Sequence, residues 1–261
     1  MISAVTGEQF QIGAGSYRAT VTGLGAGLRE LLFHGQPVIA GYDADELPPG
    51  GAGQLLAPWP NRIDGGRYAF GGTEFQLALT EPAHANAIHG LTRWTAWTPV
   101  RHDADAVVLR AGPHGQQGYP FCLEIDAEYR LHAGSGLHVA ITAANRGSRA
   151  APRSIGTTRL DTPLTGLARD RDGRAWAHLA ANGPGTRVGL WAGHGYRWLQ
   201  VFTGDPLAPD RRRKAMAIEP MSCPPNAFVT GDDLLVLEPG EAVTHTWGIQ
   251  VFNDSARAAR R

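Results

Sequence analysis

Between Phe121 and Leu131 the chain alternates without a break. Phe121, Leu123, Ile125, Ala127, Tyr129 and Leu131 are apolar, while Cys122, Glu124, Asp126, Glu128 and Arg130 between them are mostly charged. A period of two puts the first set on one face of an extended strand and the second set on the other. One face is then buried and one solvated, which is the signature of an antiparallel sheet. Leu137, Val139 and Ile141 continue the pattern after a turn at 132–136, and Val243, His245, Trp247, Ile249 and Val251 give a last strand. Phe10 and Ile12 followed by Tyr17, Ala19 and Val21 across Gly13-Ala14-Gly15 read as a hairpin. Tyr68 and Phe70, then Phe75, Leu77 and Leu79, flank Gly71-Gly72 and read as a two-residue hairpin. Residues 94–110 hold two more short strands, and 190–202 alternate again. No stretch keeps helical periodicity beyond about two turns. The chain is therefore expected to be all-β, with many short strands and closely spaced turns, which means a sandwich.

With 34 Gly and 18 Pro scattered between apolar runs, turns and not disorder account for the bias. No linker or composition break divides the 261 residues, so one domain is expected over 1–252 with a frayed basic tail at 253–261. The formal net charge is zero, which argues against nucleic-acid or membrane-surface partners. No apolar run approaches membrane-spanning length and no signal pattern opens the chain, so a cytoplasmic protein is expected. Cys122 and Cys223 have neither metal-type nor redox-type spacing and are read as reduced, buried residues. Gly23-x-Gly-x-Gly27 precedes no helix and is a turn, not a phosphate cradle. Asp170-Arg-Asp-Gly173 opens like a calcium loop, but Ala181 stands at its twelfth position, so it too is a turn. Residues 43–53 form a loop, as their prolines and glycines dictate.

The chemistry-bearing groups gather elsewhere. Residues 53–97 place Asn61-Arg62 and an Asn86-x-x-His89-Gly90 turn between Trp59, Trp94 and Trp97. Oriented donors beside flat apolar faces suit a polyhydroxylated ligand such as a sugar. Glu219 follows an apolar run and precedes Pro220. If partly buried, its raised pKa suits a general base; the alternative is a carboxylate paired with a cation of the run 211–214. Asp161 and Gln200 sit where a turn cap or strand-face polar residue is as natural as a ligand contact. No nucleophile elbow is present, and His84 and His89 lack a third ligand for a metal.

Several segments in order resemble the aldose 1-epimerase (galactose mutarotase-like) family: APWPNRI at 57–63, NAIHGL at 86–91, GYPF at 118–121, TRLDTPLTGLARDRDGRA at 158–175, LQVFTGD at 199–205 and AIEPMSCPPNAF at 217–228. The resemblance implies a β-supersandwich binding a monosaccharide, with no cofactor, as monomer or homodimer. It implies that Glu219 is the base acting on the anomeric hydroxyl and that Asn61, Arg62, His89, Asp161 and Gln200 contact the sugar. The family's acid histidine lies in a Gly-x-His-Pro-Tyr motif that this chain does not show. NRGSRAAP runs directly into RSIGTTRLD, so either Thr158 replaces that histidine or several tens of residues near 152–153 are absent; the second alignment is preferred because RSIGTTRLD runs without a gap into the later Asp motif. The sandwich would then be shortened, with a sheet edge exposed, and His89 is left as the candidate acid. The expected function is anomer interconversion of a hexopyranose, impaired by that loss. The alternatives are a catalytically silent sugar-binding protein and an epimerase relative acting on hexose phosphates through 211–214.

Overall fold

The computed structural model describes residues 4–147, 151–153, 162–180, 186–204, 209, 211 and 214–253. The first strands are β1 (Gln9–Ala14), β2 (Tyr17–Thr22), β3 (Leu28–Phe33), β4 (Gln36–Pro37), β5 (Arg62–Asp64), β6 (Arg67–Phe70), β7 (Thr73–Gln76) and β8 (Asn86–Ile88). Then come β9 (Thr98–His102), β10 (Ala106–Ala111), β11 (Leu123–His132), β12 (Gly136–Asn145), β13 (Ala151–Arg153), β14 (Thr162–Leu164), β15 (Ala175–Ala180) and β16 (Thr186–Ala192). The last are β17 (Trp198–Phe202), β18 (Ala217–Met221), one helical turn α1 (Ala227–Thr230), β19 (Leu235–Leu237) and β20 (Ala242–Asn253).

The largest sheet has the order β15-β16-β20-β12-β11-β10-β9, all antiparallel. Its centre is the strand picked out by alternation. Leu123, Ile125, Ala127, Tyr129 and Leu131 are all buried, and opposite them stand Asn145, Ala143, Ile141, Val139 and Leu137. The four-stranded sheet β1-β2-β3-β4 packs on this inner face. Two long-range hydrogen bonds pin it there: the Tyr129 hydroxyl donates to Ala26 O at 2.7 Å, and Val251 N donates to the Tyr17 hydroxyl at 3.0 Å. Each large side chain so buried contributes about 1.5–3 kcal/mol of apolar transfer.

The outer face of the same strands is an ionic ladder. Arg110 holds Asp126 directly opposite at 2.6 Å and reaches Glu124, which also takes Arg146 at 2.8 Å. Arg130 bridges Glu128 and Asp105, and Arg101 bridges Glu128 and Asp103. The edge strand β9 is exposed throughout and carries Pro99 and charged residues, which blunts it against pairing.

Small sheets carry the rest: β14-β17-β18, β5-β8, β6-β7 and β13-β19. The two predicted hairpins form as expected, Ala14 facing Tyr17 and Phe70 facing Thr73. Asp170 closes a turn, its Oδ1 accepting from Asp172 N and Arg174 N at 2.9 Å. Residues 190–202 are two strands and not one, because the chain turns at Gly193, where Tyr196 N donates back to Gly193 O. The loop at 43–53 contains one 3-10 turn, Pro49–Gly51, begun by a proline that needs no donor there. Neither cysteine forms a disulfide among the described residues; Cys223 is buried and Cys122 only half-buried, so the expectation of two buried thiols holds for one. Among the described residues no helix is long and apolar enough to cross a membrane. The tail beyond 253 lies outside the described residues.

Candidate active site

The segments 55–64 and 86–92 fold as one unit. Thr92 ties them: its hydroxyl donates to Leu55 O at 2.8 Å and accepts from Ala57 N at 3.0 Å, while Leu91 N and Thr92 N both donate to Ala57 O. Gly90 sits at φ +63, and a Cβ there would lie 2.2 Å from Ala57 O, so only glycine permits the approach. Next to it, His89 (φ 66) and Asn61 (φ 51) also hold left-handed conformations, and His89 N donates to Asn61 O at 2.9 Å. Strand pairing then sets Arg62 opposite Ile88 and Asp64 opposite Asn86. Asn61 and His89 end up buried, at 4% exposure each. Left-handed backbone at two non-glycine residues is uncommon and strained, and clusters where function fixes a side chain.

Arg62 is not a loosely solvated surface cation. Its Nε and Nη2 donate to the two carboxylate oxygens of Glu81, at 2.6 and 2.7 Å. Asn86 Nδ2 donates to Glu81 Oε2 at 3.1 Å, and His84 Nδ1 lies 3.5 Å from Oε1. The hydrogen bonds from Arg62, more than those from Asn86, hold the Glu81 carboxyl down at about 2. Glu81 had no sequence signal: it lies 19 residues from Arg62 and meets it because the chain folds back from β8 in a bridge between Asn86 and Glu81.

The second unit is the β14-β17-β18 sheet. Gln200 and Glu219 are direct cross-strand partners, so their side chains share a face. Both are buried, at 1% and 8% exposure. Gln200 Oε1 is buried with no hydrogen-bond donor among the described residues. A buried acceptor left so costs about 1–3 kcal/mol unless a water or a ligand supplies the donor. Arg211, from the run proposed as an alternative partner for Glu219, bonds Glu46 at 2.5 Å; residues 212–213 lie outside the described ones.

Asn226 joins the two units. Five residues beyond Met221, its backbone N donates to Arg62 O at 3.0 Å, and its Oδ1 accepts from Asp64 N at 3.2 Å. The helical turn that follows sets Phe228 against Trp59 and Tyr68, at ring separations of 5.7 and 5.2 Å. The strand bearing Glu219 is thereby led onto the strand bearing Arg62. Asp161, the remaining predicted contact, lies outside the described residues, as does Thr158. The tryptophans differ from expectation. Trp59 and Trp97 are core residues at 2% and 4% exposure and present no open face; only Trp94, at 52%, is exposed, with Arg93 stacked over it. Among the described residues no group of three His, Cys, Asp or Glu side chains could hold a metal ion.

Comparison with known proteins places this geometry. The family model for aldose 1-epimerase matches residues 8–157, more than half of the chain. The uncharacterized protein YihR of Escherichia coli (strain K12) is 32% identical over 283 residues, covering 90% of this chain and 91% of the relative. The alignment spans 283 positions, of which about 235, 90% of 261, are residues of this chain, so about 48 positions of YihR have no counterpart. The GalM/aldose epimerase homologue of C. elegans superposes with a TM-score of 0.75 at 16% identity, covering 94% of this chain and 99% of that one. A galactose mutarotase-like protein of Clostridium acetobutylicum does so at 0.72 and 17%, covering 93% and 94%. The all-β sandwich is the mutarotase-like fold, and the chain belongs to the aldose 1-epimerase family.

Proposed function

We propose that the protein is an aldose 1-epimerase-type isomerase that interconverts the α and β anomers of a free hexopyranose. Glu219 takes the proton of the anomeric hydroxyl, the C1–O5 bond breaks, and the ring oxygen receives a proton from His89. Rotation about C1–C2 and reclosure with the proton transfers reversed give the other anomer; atoms and charge balance without a cofactor. Asn61, Arg62, Gln200 and Asp161 hold the hydroxyls. The observation that carries this reading is the buried pair Gln200–Glu219 on one strand face, with the Gln200 oxygen lacking a donor. A sugar hydroxyl supplies such a donor, and a carboxylate beside it is the group ring opening needs.

His89 is proposed as the acid because the family's Gly-x-His-Pro-Tyr motif is not found in this sequence, and a rate below that of members with that motif is expected. Polarimetry of freshly dissolved galactose tests the assignment: acceleration in the wild type and loss of about 10²-fold or more in Glu219→Gln are expected. An unchanged rate in that variant contradicts it.

The missing segment favours a second reading, a sugar-binding protein without turnover. That segment is inferred from the Gly-x-His-Pro-Tyr motif that the sequence does not show, and the unmatched positions of the YihR alignment support a contraction of the chain. Galactose binding with no acceleration by the wild type selects that reading.

A further inference from the structure

We propose that Glu81 is a positioning residue that acts through Arg62, holding the guanidinium by one edge so that its opposite edge addresses the sugar. The kinetic part of this inference rests on the function proposed above. Arg62 offers five donors in a rigid plane. The fork to Glu81 uses Nε and Nη2, at 2.6 and 2.7 Å, which fixes the plane as well as the distance. The Nη1 edge is then turned away from Glu81. Glu81 is itself held on the far side by Asn86 Nδ2 at 3.1 Å and has His84 within 3.5 Å. Both partners keep only about a fifth of their side-chain surface, 19% and 20%, so this is no solvated surface pair.

The position of the pair supports a role in the site. Arg62 directly follows Asn61, whose carbonyl receives His89 N, and its own carbonyl receives Asn226 N from the segment leading out of the Glu219 strand. A long arginine at that junction has many rotamers, and ordering it at the moment of sugar binding costs about 0.5–1.5 kcal/mol. Glu81 removes that cost beforehand. It also compensates the cation, so a neutral sugar meets directional donors and not an open charge.

Arg62 is expected to bind the ground and transition states alike, so loss of its positioning moves KM and not kcat. Glu81→Gln is expected to raise the KM for galactose about tenfold with kcat within about twofold. Glu81→Asp, which keeps the carboxylate, restores part of the affinity. Arg62→Ala raises KM at least as much, and Glu81→Gln added to it changes KM by less than about twofold, because the two residues act as one unit. Multiplying effects, or a fall in kcat with KM unchanged, overturn the proposal.

The Arg62 Nε–H signal in nitrogen-resolved NMR reads the clamp without any sugar. A slowly exchanging signal in the wild type that exchanges rapidly in Glu81→Gln is the expected result. A rapidly exchanging signal in the wild type overturns the proposal outright. A protected signal in a wild type that binds galactose without converting it removes the isomerase reading while the clamp stands, and one in a wild type that does not bind galactose overturns both.

Discussion

Two polar faces of this molecule are built from strands, and they differ in every other respect. The outer face of β10–β11 carries Arg110, Glu124, Asp126, Glu128 and Arg130, part-exposed and joined in ion pairs. The face shared by β17 and β18 carries Gln200 and Glu219, buried, with the Gln200 oxygen lacking a donor among the described residues. Charges at the surface are inexpensive to place and contribute little. Buried polar groups cost free energy unless something pairs them, so a fold retains them only where they serve. Abundant charge on a sheet is therefore uninformative, whereas two buried polar side chains side by side mark a candidate site.

This contrast can be broken or sharpened by experiment. The largest effect is expected at Glu219, where conversion to Gln removes the proposed base and should cost about 10²–10⁴-fold of the galactose mutarotation rate, with the thermal midpoint nearly unchanged. Next comes the acid response of Glu81. Its carboxyl sits at about 2 in the folded chain, below the ordinary 4.5. The unfolded chain thus binds the proton more readily. The stabilisation is complete above pH about 4.5 and is lost as pH falls from there toward 2. Denaturant titrations across that window should show the wild type losing on the order of 1–2 kcal/mol more than Glu81→Gln; parallel curves contradict the clamp. On the outer face, Arg110→Ala should cost less than about 1 kcal/mol despite its 2.6 Å contact with Asp126. A larger loss in urea unfolding erases the distinction drawn between the two faces.

The regular parts of the fold are legible because one rule governs them. From Leu123 to Leu131 the period of two is unbroken, and each residue lands on the side that the pattern assigns. The candidate site is partly legible: Asn61, His89, Gln200 and Glu219, proposed as its members, stand in short motifs, and all four are buried. What pattern cannot carry is pairing at a distance. Nothing in the sequence singles out Glu81 or Asn226; Glu81 reaches Arg62 through its bridge to Asn86 beside the β5–β8 pair, and Asn226 through its amide to Arg62 O. The tryptophans mislead for a related reason. Trp59 and Trp97 have faces suited to a sugar, but Phe228 and Tyr119 cover Trp59, and the Trp97 indole turns inward toward Thr92 O. The contraction expected near 152–153 rests on the family pattern alone, and residues 154–161 lie outside the described ones.

Galactose binding by calorimetry to the wild type and to Gln200→Leu tests the central claim most directly. Leucine removes the buried acceptor and fills the same space. The variant should therefore be more stable than the wild type by about 1 kcal/mol and should bind galactose at least about tenfold more weakly. Equal binding by the two proteins, or a variant that loses stability while keeping affinity, would mean that the buried Gln200–Glu219 face is not where the sugar sits.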